Sequence, residues 1–122
     1  IYISDYLFEK ELIYAERWLS VSQLKLYMPV YEEMARKPAV PVLTVYLKDS
    51  PENCLERIHS RNRSYEQDMT VSELKAFEAE YERLFSDWKK SPLITLDIRD
   101  FDYNRDLDSL VEQIKYYNSN SK

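Results

Sequence analysis

The chain has 122 residues, 44% of them hydrophobic and 14% aromatic, which is enough apolar matter for a core and too much for a disordered tail. A formal net charge of -5 excludes broad, non-specific attraction to nucleic acid or to an anionic membrane, so any anion site has to be local. Glycine is absent, which excludes a glycine-rich phosphate loop or dinucleotide fingerprint within these residues, and the one cysteine, Cys54, cannot close an internal disulfide.

The chain opens on Ile1, Tyr2, Ile3 and Ser4, an apolar run without an initiating methionine that predicts a strand ending at Asp5 and suggests a segment of a longer protein. Residues 6–19 predict a helix. A second is expected over 21–36, where Ser20 and Gln23 have capping-box spacing, with Pro29 set to kink or interrupt it. Residues 37–41 connect to a second strand over 42–47, which again runs towards an acid, Asp49. Ser50 then offers an N-cap and Pro51 the first helical position of a helix over 51–61. Thr70 and Glu73 start a helix over 71–89, and residues 93–96 form a third apolar run before Asp97.

The last helix, over 106–117, lines up Leu107, Leu110, Val111, Ile114 and Tyr117 for packing on a sheet, and residues 118–122 read as a frayed tail. Strands alternating with helices imply an α/β fold with parallel pairing through right-handed crossovers. Ligands of such folds lie beyond the carboxyl ends of the strands, where Asp5, Asp49 and the residues after Asp97 fall. His59 is the one histidine and has no cysteine or histidine partners in metal-site spacing, so no protein-held metal is expected. Cys54 reads as a small buried hydrophobe. Trp18 and Trp88 read as core or helix-interface residues.

Chemistry concentrates in one stretch. Arg57 and Arg61 stand four apart on a helix and share a face, where like charges cost roughly 0.2 to 0.5 kcal/mol, and Arg63 follows on the loop. The cost is recovered when a multiply charged anion arrives, because guanidinium forks match phosphate oxygens and stay charged at any working pH. The alternative is a solvated helix end, with Glu56, Glu66 and Glu73 as surface partners and the helix dipole favouring cations.

The pattern Arg57-x-x-x-Arg61-Asn62-Arg63-x-x-Glu66-Gln67 is preceded by Val45-Tyr46-Leu47-x-x-Ser50-Pro51-Glu52-x-Cys54-Leu55. It is followed by Tyr81-x-x-Leu84-Phe85-x-x-Trp88 and by the run Pro92 to Asp97. Across nearly the whole chain this resembles the C-terminal two thirds of a deoxynucleoside kinase, in particular the bacterial deoxyadenosine and deoxyguanosine kinase branch. The resemblance implies a partial P-loop kinase-like, three-layer α/β fold, with residues 1–122 forming part of a single domain and a lid at about 57–68. It implies transfer of the γ-phosphate of ATP, with Mg2+, to the 5'-hydroxyl of a purine deoxyribonucleoside in nucleotide salvage, by a cytoplasmic homodimer.

By that resemblance Arg57, Arg61 and Arg63 close over the phosphates, Asp5 lies near the magnesium, and Glu66 accepts the 3'-hydroxyl of the sugar. Tyr14 packs on the base, and Arg99, Asp100 and Phe101 fall where the family holds the ATP adenine. Asn62 stands where the lid usually carries glycine, and Tyr6 where an arginine commonly follows the acid. The phosphate loop and the base that takes the 5'-hydroxyl proton would precede Ile1. A thymidylate-type monophosphate kinase shares the fold and the arginine lid, but its acceptor asks for a second basic cluster. A degenerate, non-catalytic module of the same fold is the other alternative.

Overall fold

Most α-helix starts among the described residues can be traced to a side-chain cap. In the computed structural model, which describes residues 2–120, the Ser20 hydroxyl accepts from the Gln23 N–H at 3.2 Å while the Gln23 side chain accepts from the Ser20 N–H at 2.9 Å. This capping box opens α2, Val21–Met34, and the helix continues through Pro29 without interruption. The chain divides into two units, Ile1–Val40 and Pro41–Lys122.

The first unit holds α1, Lys10–Trp18, and α2. Ile13 and Ala15 are its buried residues, and Phe8 stacks on Tyr31 with ring centroids 5.1 Å apart. The strand expected over 1–4 is not formed: residues 2–4 carry no strand, Tyr2 and Ile3 are exposed, and Ile1 lies outside the described residues. An extended run becomes a strand only where a neighbour pairs its N–H and C=O groups, and the one pairing among the described residues does not include it. The helix expected from residue 6 starts at Lys10, because the Ser4 hydroxyl accepts the Tyr6 N–H at 3.0 Å and holds that backbone in a local non-helical turn.

The second unit runs β1, Thr44–Lys48; α3, Pro51–Ser60; a single 3₁₀ turn, Ser64–Glu66; α4, Val71–Ser86; β2, Leu93–Asp97; and α5, Tyr103–Ser119. The strands pair in parallel, in register from Thr44 opposite Leu93 to Lys48 opposite Asp97, as the strand–helix alternation predicts. Helix α5 begins earlier than the apolar stripe suggests, since the Asp102 carboxylate caps the N–H groups of Asn104 at 2.8 Å and Arg105 at 3.2 Å.

Phe77 and Thr44 are the buried residues of this unit. Beside them Tyr46 meets Phe85 at 4.6 Å, and Phe85 meets Trp88 edge-on at 5.3 Å. Burial, together with the nearby Glu82 carboxylate, pushes the Tyr46 phenol up to about 12. Trp88 donates its ring N–H to the Ser91 hydroxyl, which lies 2.7 Å from the Thr44 hydroxyl and ties the end of α4 to the start of β1. Trp18, expected as a core or helix-interface residue, is exposed and sits against Tyr14.

Candidate functional site

Helix α3 carries the arginines, and its two ends fix where they stand. At the N-terminus the Ser50 hydroxyl accepts the Asn53 N–H at 3.1 Å, with Pro51 in the first turn where its missing N–H costs nothing. At the C-terminus Asn62 takes a φ of 54°, the left-handed conformation that ends helices and that asparagine tolerates better than most residues with a side chain. The glycine that the lid usually carries is thus replaced by a residue in the backbone state glycine serves.

Beyond Asn62 the chain forms the short 3₁₀ turn that brings Glu66 back towards the helix. Arg61 donates to Glu66 Oε2 at 2.8 Å across five residues. The other carboxylate oxygen, Glu66 Oε1, is buried with no hydrogen-bond partner. A buried acceptor left unpaired costs about 1–3 kcal/mol, so this oxygen stands ready for a donor.

Arg57 pairs with a different carboxylate. Its guanidinium donates to Asp49 Oδ2 at 2.7 Å and, more weakly, to the Cys54 sulfur at 3.5 Å. The Asp49 side chain is 5% exposed, whereas that of Arg57 is 55% exposed. The Asn53 amide, the Arg57 guanidinium and the Ser50 N–H together hold the Asp49 carboxyl below its usual range. Arg63 reaches the exposed hydroxyl of Tyr65 at 3.4 Å, and its carbonyl accepts from the Gln67 side chain. Cys54, Arg57, Ile58, Ser60 and Arg61 line an open cleft of about 440 Å³, so two of the three arginines face one hollow.

At the carboxyl end of β2 lies a third arginine–carboxylate pair. Arg99 donates through Nε to Asp97 Oδ1 at 2.9 Å and through Nη2 to Oδ2 at 2.5 Å, and its backbone N–H also meets Oδ1 at 3.0 Å. Those three bonds lower the Asp97 carboxyl to about 2. The Asp100 carbonyl accepts from Arg105 at 2.9 Å, and half-buried Phe101 meets Tyr103 edge-on at 5.4 Å. Because Ile98 N–H bonds to the Lys48 carbonyl, this turn leaves the sheet beside Asp49.

The structure therefore gathers Arg57, Arg61, Arg63 and Glu66 on α3 and its following turn, and sets residues 99–101 at the same end of the sheet. Asp5 and Tyr14 belong to the first unit, Asp5 on an exposed non-strand segment and Tyr14 half-buried on α1. Sequence reasoning missed Asp49 as the partner of Arg57, since an eight-residue separation from strand end to helix matches no helical periodicity. It also missed the 3₁₀ turn, for which the Asn62 break was the available signal. Among the described residues no three His, Cys, Asp or Glu side chains converge as a metal site. No helix among them is long and apolar enough to cross a membrane.

The deoxynucleoside kinase family model matches residues 1–117. The chain is 30% identical over 120 residues to a deoxyguanosine kinase of Bacillus subtilis, with 93% of this chain and 58% of that protein covered. It is 30% identical over 101 residues to a deoxyadenosine/deoxycytidine kinase of the same organism, covering 79% and 46%. It is also 31% identical over 80 residues to a deoxycytidine kinase of Bos taurus, covering 58% and 30%. The chain spans less than two thirds of each of these relatives. The chain belongs to the deoxynucleoside kinase family.

Proposed function

We propose that, as part of a longer protein, this chain supplies the phosphate lid and the sugar acceptor of a kinase that moves the γ-phosphate of ATP to the 5'-hydroxyl of a deoxyribonucleoside. The observation that carries the reading is Glu66. One of its oxygens is held by Arg61 and the other is a buried acceptor without a donor, which suits the 3'-hydroxyl of a sugar: neutral, donating, and needing a carboxylate already fixed in place. The 5'-hydroxyl oxygen forms its bond to the γ-phosphorus as the bond to the β–γ bridging oxygen breaks and ADP leaves. Arg57, Arg61 and Arg63 meet the charge spread over the equatorial oxygens in that transition state.

The proton of the 5'-hydroxyl goes, in this reading, to a base on a preceding segment that also carries the glycine-rich phosphate loop. The family resemblance assigns Asp5 to the phosphates, Tyr14 to the base, and the turn of Arg99, Asp100 and Phe101 to the adenine. The similarity to a deoxyguanosine kinase supports a purine substrate, and nucleotide salvage in the cytoplasm is the setting we propose for it. The exposed Trp18 of α1 and the exposed Leu26, Val30 and Met34 of α2 suit a helical homodimer face.

The test is transfer of labelled phosphate from ATP by the full-length gene product to four deoxynucleosides and their monophosphates. Labelling of deoxyadenosine or deoxyguanosine at the 5' position is expected. Labelling of a monophosphate alone would assign a thymidylate-type activity, and a folded protein that labels nothing would leave a non-catalytic module.

A further inference from the structure

The arginine assigned to the lid nearest the sheet is not free in the structure; it is held by a carboxylate that the kinase reading does not use. Asp49 follows β1 directly and sits before the cap of α3. Its side chain is 5% exposed and each of its oxygens has separate work. Oδ1 accepts from the Ser50 N–H at 2.7 Å and from the Asn53 amide at 3.0 Å, which fixes the carboxylate to the first turn of α3. Among the described residues Oδ2 accepts from Arg57 alone, at 2.7 Å. A surface arginine loses rotamer freedom when it is brought to one position, and here that ordering is done before any phosphate arrives.

We infer that Asp49 is a positioning residue for the phosphoryl transfer, one that orients the Arg57 guanidinium towards the cleft shared with Arg61. The inference rests on the kinase reading of that cleft. The division of the carboxylate supports it: one oxygen anchors Asp49 to the backbone and the helix start, and the other is given wholly to Arg57. With 55% of its side chain exposed, Arg57 keeps a face for an anion while the opposite side is held. Positioning of this kind acts on the transition state, because a guanidinium already in place needs no reorganisation as charge develops. A carboxylate that instead sequestered Arg57 from phosphate would act in the opposite sense, and its removal would speed the reaction.

The test is a double-mutant cycle in the full-length enzyme with Asp49→Asn and Arg57→Ala. Asparagine keeps an oxygen for the Ser50 and Asn53 donors but turns an amide N–H2 towards Arg57, so it breaks the guanidinium contact and spares the cap. Asp49→Asn is expected to lower kcat about 10-fold, on the scale of losing one oriented charge-assisted bond, with the nucleoside KM within about two-fold of wild type. In the Arg57→Ala background the same change should alter kcat less than about two-fold. Equal losses in both backgrounds would overturn the inference, as would a rise in kcat or an unchanged kcat in the single variant. A melting temperature for each variant identifies loss of folded protein, and in that event Asp49→Ser, smaller and still polar, is put through the same cycle and read by the same criteria. Wild-type protein that transfers no phosphate refutes the kinase reading and this inference with it, whereas active wild type with an insensitive Asp49→Asn variant refutes the inference alone.

Discussion

Two arginine–carboxylate pairings stand at the same end of the sheet and differ in what they leave open. At the end of β2, Asp97 and Arg99 are two residues apart, and both carboxylate oxygens are taken by side-chain and backbone donors of one residue. On α3 and the turn after it, Arg57 reaches back eight residues to Asp49, Arg61 reaches forward five to Glu66, and Glu66 keeps a buried oxygen without a donor. The first pair is closed on itself and serves the turn that contains it. The second set is ordered but unsaturated, which is the condition of groups arranged for a ligand.

The largest expected effect that sharpens this contrast is on turnover. Arg61→Ala in the full-length protein should lower kcat by about 100-fold or more, the scale of removing one preorganised group that meets transition-state charge, while nucleoside binding weakens far less. Steady-state kinetics with ATP saturating separates the two, and equal loss in both would place Arg61 outside the lid's chemistry.

A smaller effect belongs to the closed pair. The Asp97 carboxyl is lowered from an ordinary 3.8 to about 2, so in the folded state it releases its proton more readily than in the unfolded chain. Its stabilising contribution is complete above the unfolded value and is lost as pH falls from about 4 towards 2. Denaturant unfolding at stepped pH should show that decline in the wild type, and Asp97→Asn should remove part of it. What persists in the variant includes the share of Asp106, which Arg105 likewise lowers to about 2. A variant with the same acid slope as wild type would mean that the bidentate contact is not kept in solution.

The parts of the fold that could be read in advance were those with a local cause. Ser20 with Gln23, Ser50 with Pro51, and Thr70 with Glu73 each named a helix start that the backbone bonds reproduce, and the two acid-terminated apolar runs after residue 41 are the two parallel strands. Asn62 stands where the lid usually carries glycine, and its φ of 54° is a backbone state that asparagine tolerates. What local rules could not give were features that depend on distant partners. The run 1–4 has strand chemistry without a paired neighbour among the described residues. Asp49 and Arg57 meet only because β1 hands directly into α3. The early start of α5 was hidden because its cap, Asp102, lies before any apolar residue of the stripe.

On charge and spacing the arginine cluster could be read either as an anion site or as a solvated helix end, and the state of Glu66 could not be read at all: only the folded turn reveals that Arg61 takes one oxygen and leaves the other buried. The most direct test of the account is therefore kcat/KM for a deoxyribonucleoside and for its 2',3'-dideoxy analogue, with the full-length wild type and with Glu66→Gln. A hydrogen bond to a charged group contributes about 1.5–3 kcal/mol, so the wild type should prefer the 3'-hydroxylated substrate by roughly 10- to 100-fold. Glu66→Gln should bring that preference to within a few-fold of unity. A preference that survives the substitution unchanged would mean that another group receives the 3'-hydroxyl, and would contradict the site as built here.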